Sequence, residues 1–337
     1  MNAPLSALAA LPDAERDACL IVNPKSFRAS RRGLAARAAE LARRHGVDVI
    51  EVQDPATLAA ALDRRLMQSR RHDLLVLAGD GTVQALVDQL VRLPADLPMP
   101  RLLVLGGGRT NLTAVDLDGT GDVLAKLEAA LTRSRSGEER TAGVQSRRVL
   151  VVEQSPAPAR HGFFLAGGLV DEAIRAFHSW RARGGRLRRG NLGTVYYTFV
   201  LALRALIGKP LVRSPILRVI AEGRGALDGP MRLLVATTLE HRTGAFDPYA
   251  QRAQSGGGPR FTAVIAGARG FWRSLAGLLR GRFGPHMTPE SGYLSGASDK
   301  IEVWGLHGYT LDGEEFDCDP ARPVLIRAGA RLEFLRP

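Results

Sequence analysis

The sequence predicts an α/β domain with a parallel sheet, followed by a mainly antiparallel β-sandwich. Three observations predict it. Apolar runs and helix-period segments alternate over the first 135 residues, the rhythm of strands joined by crossover helices. From about residue 146 the apolar runs crowd together, as strands of an antiparallel sheet do. At 45% hydrophobic and 24% charged residues, the chain has enough apolar material for two cores.

In order, ACLIVNP (18–24) is a short apolar strand closed by a turn. RRGLAARAAELARRHG (31–46) has helical periodicity and stops at Gly46, a residue suited to a helix C-terminus. VDVIEV (47–52) is a strand, and PATLAAALDRRLMQSR (55–70) a helix with Pro55 at its start. DLLVLA (73–78) and RLLVLG (101–106) are strands flanking the helix TVQALVDQLVRL (82–93), and GDVLAKLEAALTR (121–133) is a further helix. The second half offers strands at 147–154, 161–168, 215–222, 231–239, 260–267 and 300–306, helices near 169–182, 194–207 and 269–281, and a loop at 251–260. The predicted domains are 1–138 and 139–337, with the extreme C-terminus returning to the first. A ligand is expected in the crevice between them.

The formal net charge of +12 favours an anionic partner. Only four of the 46 basic residues are lysine, a bias that genome composition also produces. Helix-turn-helix, zinc-finger and RNP cues are absent, so nucleic acid is not an expected partner. Cys19 and Cys318 fit a reducing compartment and lie in no metal-ligand spacing. The N-terminus has no basic leader region, and the longest apolar stretch is broken by Arg204. A cytoplasmic protein, peripheral to the inner membrane face, is therefore expected.

Two strand ends carry the chemistry. LLVLAGDGT brings an apolar strand to Gly79-Asp80-Gly81, and LLVLGGGRTN repeats the device with Gly106, Gly107 and Gly108. Ligands bind at that edge of open α/β sheets, where bare backbone and a helix N-terminus suit phosphate. Asp80 between glycines suits a divalent cation or a hydroxyl, and Thr82 is placed to cap the helix. Neither turn fits the Walker or the G-x-G-x-x-G pattern.

NPKS (23–26), AGDGT (78–82), GGGRTNLTA (106–114) and LDGEEF (311–316) occur here in the order found in diacylglycerol kinase-like lipid kinases, and the chain resembles that family over most of its length. The resemblance implies an NAD kinase/diacylglycerol kinase-like nucleotide domain, a lipid domain, and ATP- and Mg²⁺-dependent phosphorylation of a lipid hydroxyl. Asn23, Pro24, Lys25, Gly79, Asp80, Gly81, Thr82, Gly107, Gly108, Arg109, Thr110 and Asn111 would bind the nucleotide. Asp80 would also meet the metal. Glu314 would be the base that accepts the hydroxyl proton, with Asp312 supporting it, and Glu315 is the neighbour to exclude. Three positions depart from the family pattern: Ala78 for Gly, Arg109 for Thr, and Leu112 for Asp. An NAD kinase-like activity and a lipid-binding protein without catalysis are the alternatives. Asp171 and Glu172 (FLAGGLVDEAI) fit either an acceptor contact or an ordinary helix start. The lipid substrate would be met at a membrane surface, for which two segments stand out: the arginines from Arg181 to Arg189, and the helix 268–284, where Phe271, Leu275, Leu278 and Leu279 form one side, Arg273, Arg280 and Arg282 flank it and Trp272 suits an interface; a helix packed on the sandwich with solvated arginines is the other reading of that segment.

Overall fold

A computed structural model describes residues 17–66, 72–94, 97–109, 111–136, 143–182, 214–240, 247–251 and 257–337. The expected helix 194–207, Arg183 to Arg189 and Thr110 lie outside the described residues. The chain forms two compact units, residues 1–148 with 330–337, and residues 149–329.

The first unit alternates β1 (Asp17–Val22), α1 (Leu34–Arg44), β2 (Asp48–Glu51), α2 (Pro55–Leu66), β3 (His72–Ala78), α3 (Asp80–Leu90), β4 (Arg101–Gly106), α4 (Leu112–Asp116) and α5 (Val123–Ser136). The strands pair in parallel in the order β2-β1-β3-β4. Leu20, Val22, Leu75, Leu77, Leu103 and Leu105 share one face with Ala38 and Ala42 of α1 and with Val123, Leu127 and Leu131 of α5. Their neighbours Cys19, Ile21, Leu74, Val76, Leu102 and Val104 are buried on the other face. A sheet covered on both faces needs near-continuous apolar strands, which is why these runs stand out in the sequence. Gly46 follows α1 at φ +71°, in the left-handed region that ends helices.

The strand order places the topological switch between β1 and β3: the chain leaves β1 toward β2 on one side and continues from β3 to β4 on the other. Ligand crevices open there, at the carboxyl ends of the strands.

The second unit is an antiparallel sandwich. β5 (Val144–Glu153) enters it from the first unit, followed by β6 (Arg160–Gly162), β7 (Phe164–Gly167), α6 (Leu169–Ala182), β8 (Ile216–Ala221), β9 (Gly225–Thr237), β10 (Arg260–Ile265), α7 (Phe271–Leu278), β11 (Tyr293–Ala297), β12 (Lys300–Trp304), β13 (Gly308–Leu311) and β14 (Glu314–Asp317). β15 (Val324–Leu335) leads back to the first unit, where Phe334 pairs in parallel with Leu102. One sheet runs β14-β13-β7-β9-β10-β11. The other includes β9-β8-β12-β15 and β15-β5-β6. β9 serves both sheets, with its change of partner between Pro230 and Met231, just after Gly229, whose φ is +141°. Between the sheets, Leu217, Val219, Ile301, Val303 and Ile326 interlock with Leu165, Leu234, Phe261, Ala263 and Leu311.

α6 and α7 cover the outer face of the first of these sheets through Val170, Ile174, Phe271 and Leu278. Phe271, Leu275, Leu278 and Leu279 do form one apolar side, but that side packs on Val235, Val264 and Tyr293 of the protein itself. Periodicity reveals an apolar face without revealing what covers it.

Both cysteines are free thiols. Burial pushes Cys19 up to about 11 and Cys318 up to about 12, so neither is a reactive thiolate at neutral pH. Among the described residues, no helix is long and apolar enough to cross a membrane.

Candidate functional site

The registers bring three of the four motifs together. Val22 pairs with Leu77, and Ala78 with Gly106. The chain following each strand, 23–26, 78–82 and 106–111, therefore emerges at one edge of the sheet, at the β1/β3 switch.

Hydrogen bonds then knit the turns together. The Asn23 amide N–H bonds the Leu77 carbonyl (3.1 Å), and the Gly79 N–H donates to Ser26 Oγ (3.1 Å). The Asn23 side chain donates to Thr82 Oγ1 at 2.9 Å and accepts from the Lys25 N–H at 3.0 Å. The Gly107 N–H donates to the Ala78 carbonyl (2.8 Å), while the Gly107 carbonyl accepts from Arg28 (2.7 Å) and Ala29 (3.1 Å).

The glycines have a local reason to be glycines. A methyl on Gly108 would lie 2.7 Å from the Gly79 Cα, and one on Gly107 would lie 2.9 Å from the Ala78 nitrogen. Backbone meets backbone there, so the two turns form one continuous bare surface. Ala78, the last residue of β3, is buried.

Thr82 is not the helix cap. α3 begins at Asp80 with Gly79 at its N-cap and no capping side chain, so Thr82 sits inside the first turn and its hydroxyl faces Asn23. Asp80 instead caps a different helix. Its carboxylate accepts the Leu112 N–H (3.3 Å) and the Thr113 N–H (3.4 Å) at the start of α4. Both bonds are long, and an acid at a helix N-terminus is favourable. Leu112 meets Asp80 through its backbone N–H, a donor that any residue but proline supplies. Asn111 is turned inward at φ +52°: its side chain accepts from the Gly108 N–H (2.6 Å) and donates to the Gly108 carbonyl (3.1 Å). Asp116 is buried in an ion pair with Arg147 at 2.7 Å. Pro24 is partly buried, and Lys25 is exposed.

Sequence reasoning missed Phe27. Its ring lies between two guanidinium groups, Arg109 at 3.8 Å and Arg31 at 3.9 Å from the centroid. Stacking of this kind orients a guanidinium while leaving its N–H edge able to meet an anion. The available signal was an aromatic residue in the otherwise polar, arginine-rich segment immediately after NPKS.

The fourth motif lies in the second unit and forms a hairpin. Asp312 occupies its tip at φ +49°, 2% exposed. Its carboxylate accepts the N–H groups of Phe163 (2.8 Å) and Phe164 (2.9 Å) and so fastens the tip to the β6–β7 segment. Leu311 opposes Glu314 across the hairpin, and Thr310 opposes Glu315. Opposed residues share a face. Glu315 therefore shares the face of Thr310, whose hydroxyl donates to Asp171 at 2.6 Å, whereas Glu314 shares the face of Leu311. Both glutamates are exposed.

Asp171 begins α6 and is 2% exposed, held by Thr310 and by Arg175 Nε at 2.7 Å. Burial raises its pKa above the usual carboxylate value, against the lowering effect of those two bonds. Burial alone would lower Arg175, but its bonds to Asp171 and Asp317 outweigh that and raise it. Asp171 is thus an internally paired acid at a helix start. Glu172, beside it, is only partly buried. Among the described residues, no group of three or more His, Cys, Asp or Glu side chains is arranged to hold a metal.

Residues 17–145, which contain the three converging turns, match the family model described as the diacylglycerol kinase catalytic domain. Among solved structures, the chain is similar to a diacylglycerol kinase from Bacillus anthracis strain Sterne, at 12% identity and TM-score 0.59, covering 95% of this chain and 97% of that one. Two more chains from the same strain, described as candidate diacylglycerol kinases, align at 14% identity with TM-scores of 0.63 and 0.62 and the same coverage. At these identities the likeness establishes the shared fold. No curated protein matches the chain.

Proposed function

We propose that this chain, whose residues 17–145 match the diacylglycerol kinase catalytic domain model, is a lipid kinase that transfers the γ-phosphate of ATP to a lipid hydroxyl with Mg²⁺. One observation carries the reading: NPKS, AGDGT and GGGRTN meet at the β1/β3 switch of a parallel sheet, inside the segment that matches the family.

The residues fit a nucleotide. The Gly79–Gly108 contact leaves no side chain between the turns, so phosphate oxygens can come close to the N-terminus of α3. The uncapped N-terminus of α3 adds the positive end of a helix dipole. Asn23, Pro24 and Lys25 border the turns, and Arg109, steered by Phe27, adds a guanidinium charge. Thr110 completes this set by its place in the motif. The residues also fit a metal that arrives with the phosphates. Asp80 supplies one carboxylate at the first turn of α3, and magnesium commonly takes one or two carboxylates and fills its remaining positions with phosphate oxygens and water. When bound, Mg²⁺ neutralises charge that develops on the transferring phosphoryl group.

Glu314 accepts the proton of the lipid hydroxyl at its carboxylate as the oxygen attacks phosphorus in line. Asp312 keeps the hairpin tip fixed by its two backbone bonds and so positions Glu314.

The test is γ-labelled ATP and Mg²⁺ incubated with the purified protein, a total lipid extract and, separately, NAD. A labelled lipid is the expected product. Labelled NADP would replace the proposal with an NAD kinase activity, and no labelled product would leave a lipid-binding protein.

Phe27→Ala tests the guanidinium stack. The Arg109 stack contributes about 0.5–1 kcal/mol, so the KM for ATP is expected to rise roughly twofold to fivefold with kcat nearly constant. An unchanged KM in steady-state kinetics would show that the stack has no part in ATP binding.

A further inference from the structure

The outward side of α7 is unlike the rest of the sandwich. Its apolar side is buried, yet Trp272, about 100° round the helix from Phe271, is 56% exposed. Arg269, Arg273, Arg280 and Arg282 precede or follow it along the chain and are all exposed. Trp272, Arg273 and Ala276 occupy one side of the helix by their spacing, and all three are exposed. The sequence has no Asp or Glu between Asp247 and Glu290, so no acid within this stretch offsets the arginines.

The tryptophan is also held in place. It packs edge-on against Phe271, with ring centroids 5.2 Å apart and planes at 76°. The Arg232 guanidinium lies 4.3 Å from the Phe271 centroid and 5.4 Å from that of Trp272. An immobilised indole has little side-chain entropy left to lose on docking. Arginines alone would suit any polyanion. A fixed indole among them suits a bilayer, where the ring sits at headgroup level and the guanidinium groups meet lipid phosphates.

We infer that this face of α7 docks on anionic phospholipid bilayers, with Trp272 as the interfacial anchor and Arg269, Arg273 and Arg280 as headgroup contacts. This face adjoins the apolar side of the helix, which packs on the sandwich. The inference extends the lipid-kinase reading by locating the surface that meets the membrane. Docking requires no ATP, so the two stand or fall in separate experiments.

The test is vesicle co-sedimentation of the full chain, without nucleotide. One set of vesicles is phosphatidylcholine alone, and the other contains phosphatidylglycerol as well. Wild-type protein is expected to bind the phosphatidylglycerol vesicles and to leave phosphatidylcholine largely unbound. Trp272→Ala and the double variant Arg273→Glu/Arg280→Glu are each expected to weaken binding about tenfold. Their circular dichroism should be unchanged, as should phosphorylation of a lipid presented in detergent micelles. Equal binding by wild type and both variants would overturn the inference. So would a Trp272→Ala protein that binds vesicles normally while the arginine variant loses vesicles and duplex DNA alike, because the face would then be a general polyanion site. Vesicle binding that follows these expectations without any kinase activity would retain the docking surface and remove the catalytic reading.

Discussion

Replacing Glu314 with glutamine is expected to lower lipid phosphorylation by roughly 10²–10⁴-fold, the usual contribution of a positioned general base. Glutamine keeps the size and a hydrogen-bonding end but cannot take the proton. Glu314 is exposed at the first position of β14, so the fold and ATP affinity should stay as they are. The hairpin register supplies the control. Glu315 is adjacent in sequence but points to the other face, with Thr310 and Asp171. Glu315→Gln should therefore retain most activity. If Glu315→Gln abolished turnover and Glu314→Gln did not, the base assignment would pass to the neighbour and the acceptor would approach from the α6 face. Full activity in both variants would remove the hairpin from the chemistry.

Asp80→Ala is expected to abolish detectable transfer and to destabilise the protein only modestly. The two effects have separate origins. As a cap, Asp80 satisfies the Leu112 and Thr113 N–H groups through bonds of 3.3 and 3.4 Å. Loss of a cap of this kind costs about 0.5–2 kcal/mol. As the only carboxylate in AGDGT, it is the residue proposed to meet the metal. Asp80→Asn separates the roles in part: its single amide oxygen can keep one of the two bonds to α4, its NH2 group faces the other N–H, and the charge is gone. Asp80→Asn is expected to unfold at a temperature between those of Asp80→Ala and the wild type, with transfer as low as in Asp80→Ala. A fully active Asp80→Asn protein would reduce Asp80 to a structural cap.

The parallel half of the fold was legible because strands buried on both faces must be apolar throughout, so runs such as LLVLA and LLVLG declare themselves. The end of α1 was legible because Gly46 adopts φ +71°. Other features depend on contacts between segments far apart in the sequence. Thr82 resembled a cap until α3 proved to start two residues earlier, and its hydroxyl answers to Asn23 rather than to its own helix. The five-residue helix α4 is too short to show periodicity, and its N-terminus is satisfied by Asp80 from another turn. The Phe27 stack draws one arginine from the neighbouring segment and the other from the 106–111 turn. The choice between Glu314 and Glu315 could be posed from the sequence, but only strand register separates them by face. In α7, periodicity identified the apolar side correctly, but its partner is the sandwich.

The central claim is that the turns at 23–26, 78–82 and 106–109 grip the phosphates of ATP, and amide hydrogen exchange on the whole chain tests it most directly. Saturating ATP with Mg²⁺ is expected to slow exchange at Gly79, Asp80 and Gly81 and at Gly107, Gly108 and Arg109, while the amides of β11 exchange as before. Unaltered exchange at both glycine turns, with protection appearing elsewhere in the molecule, would contradict the account.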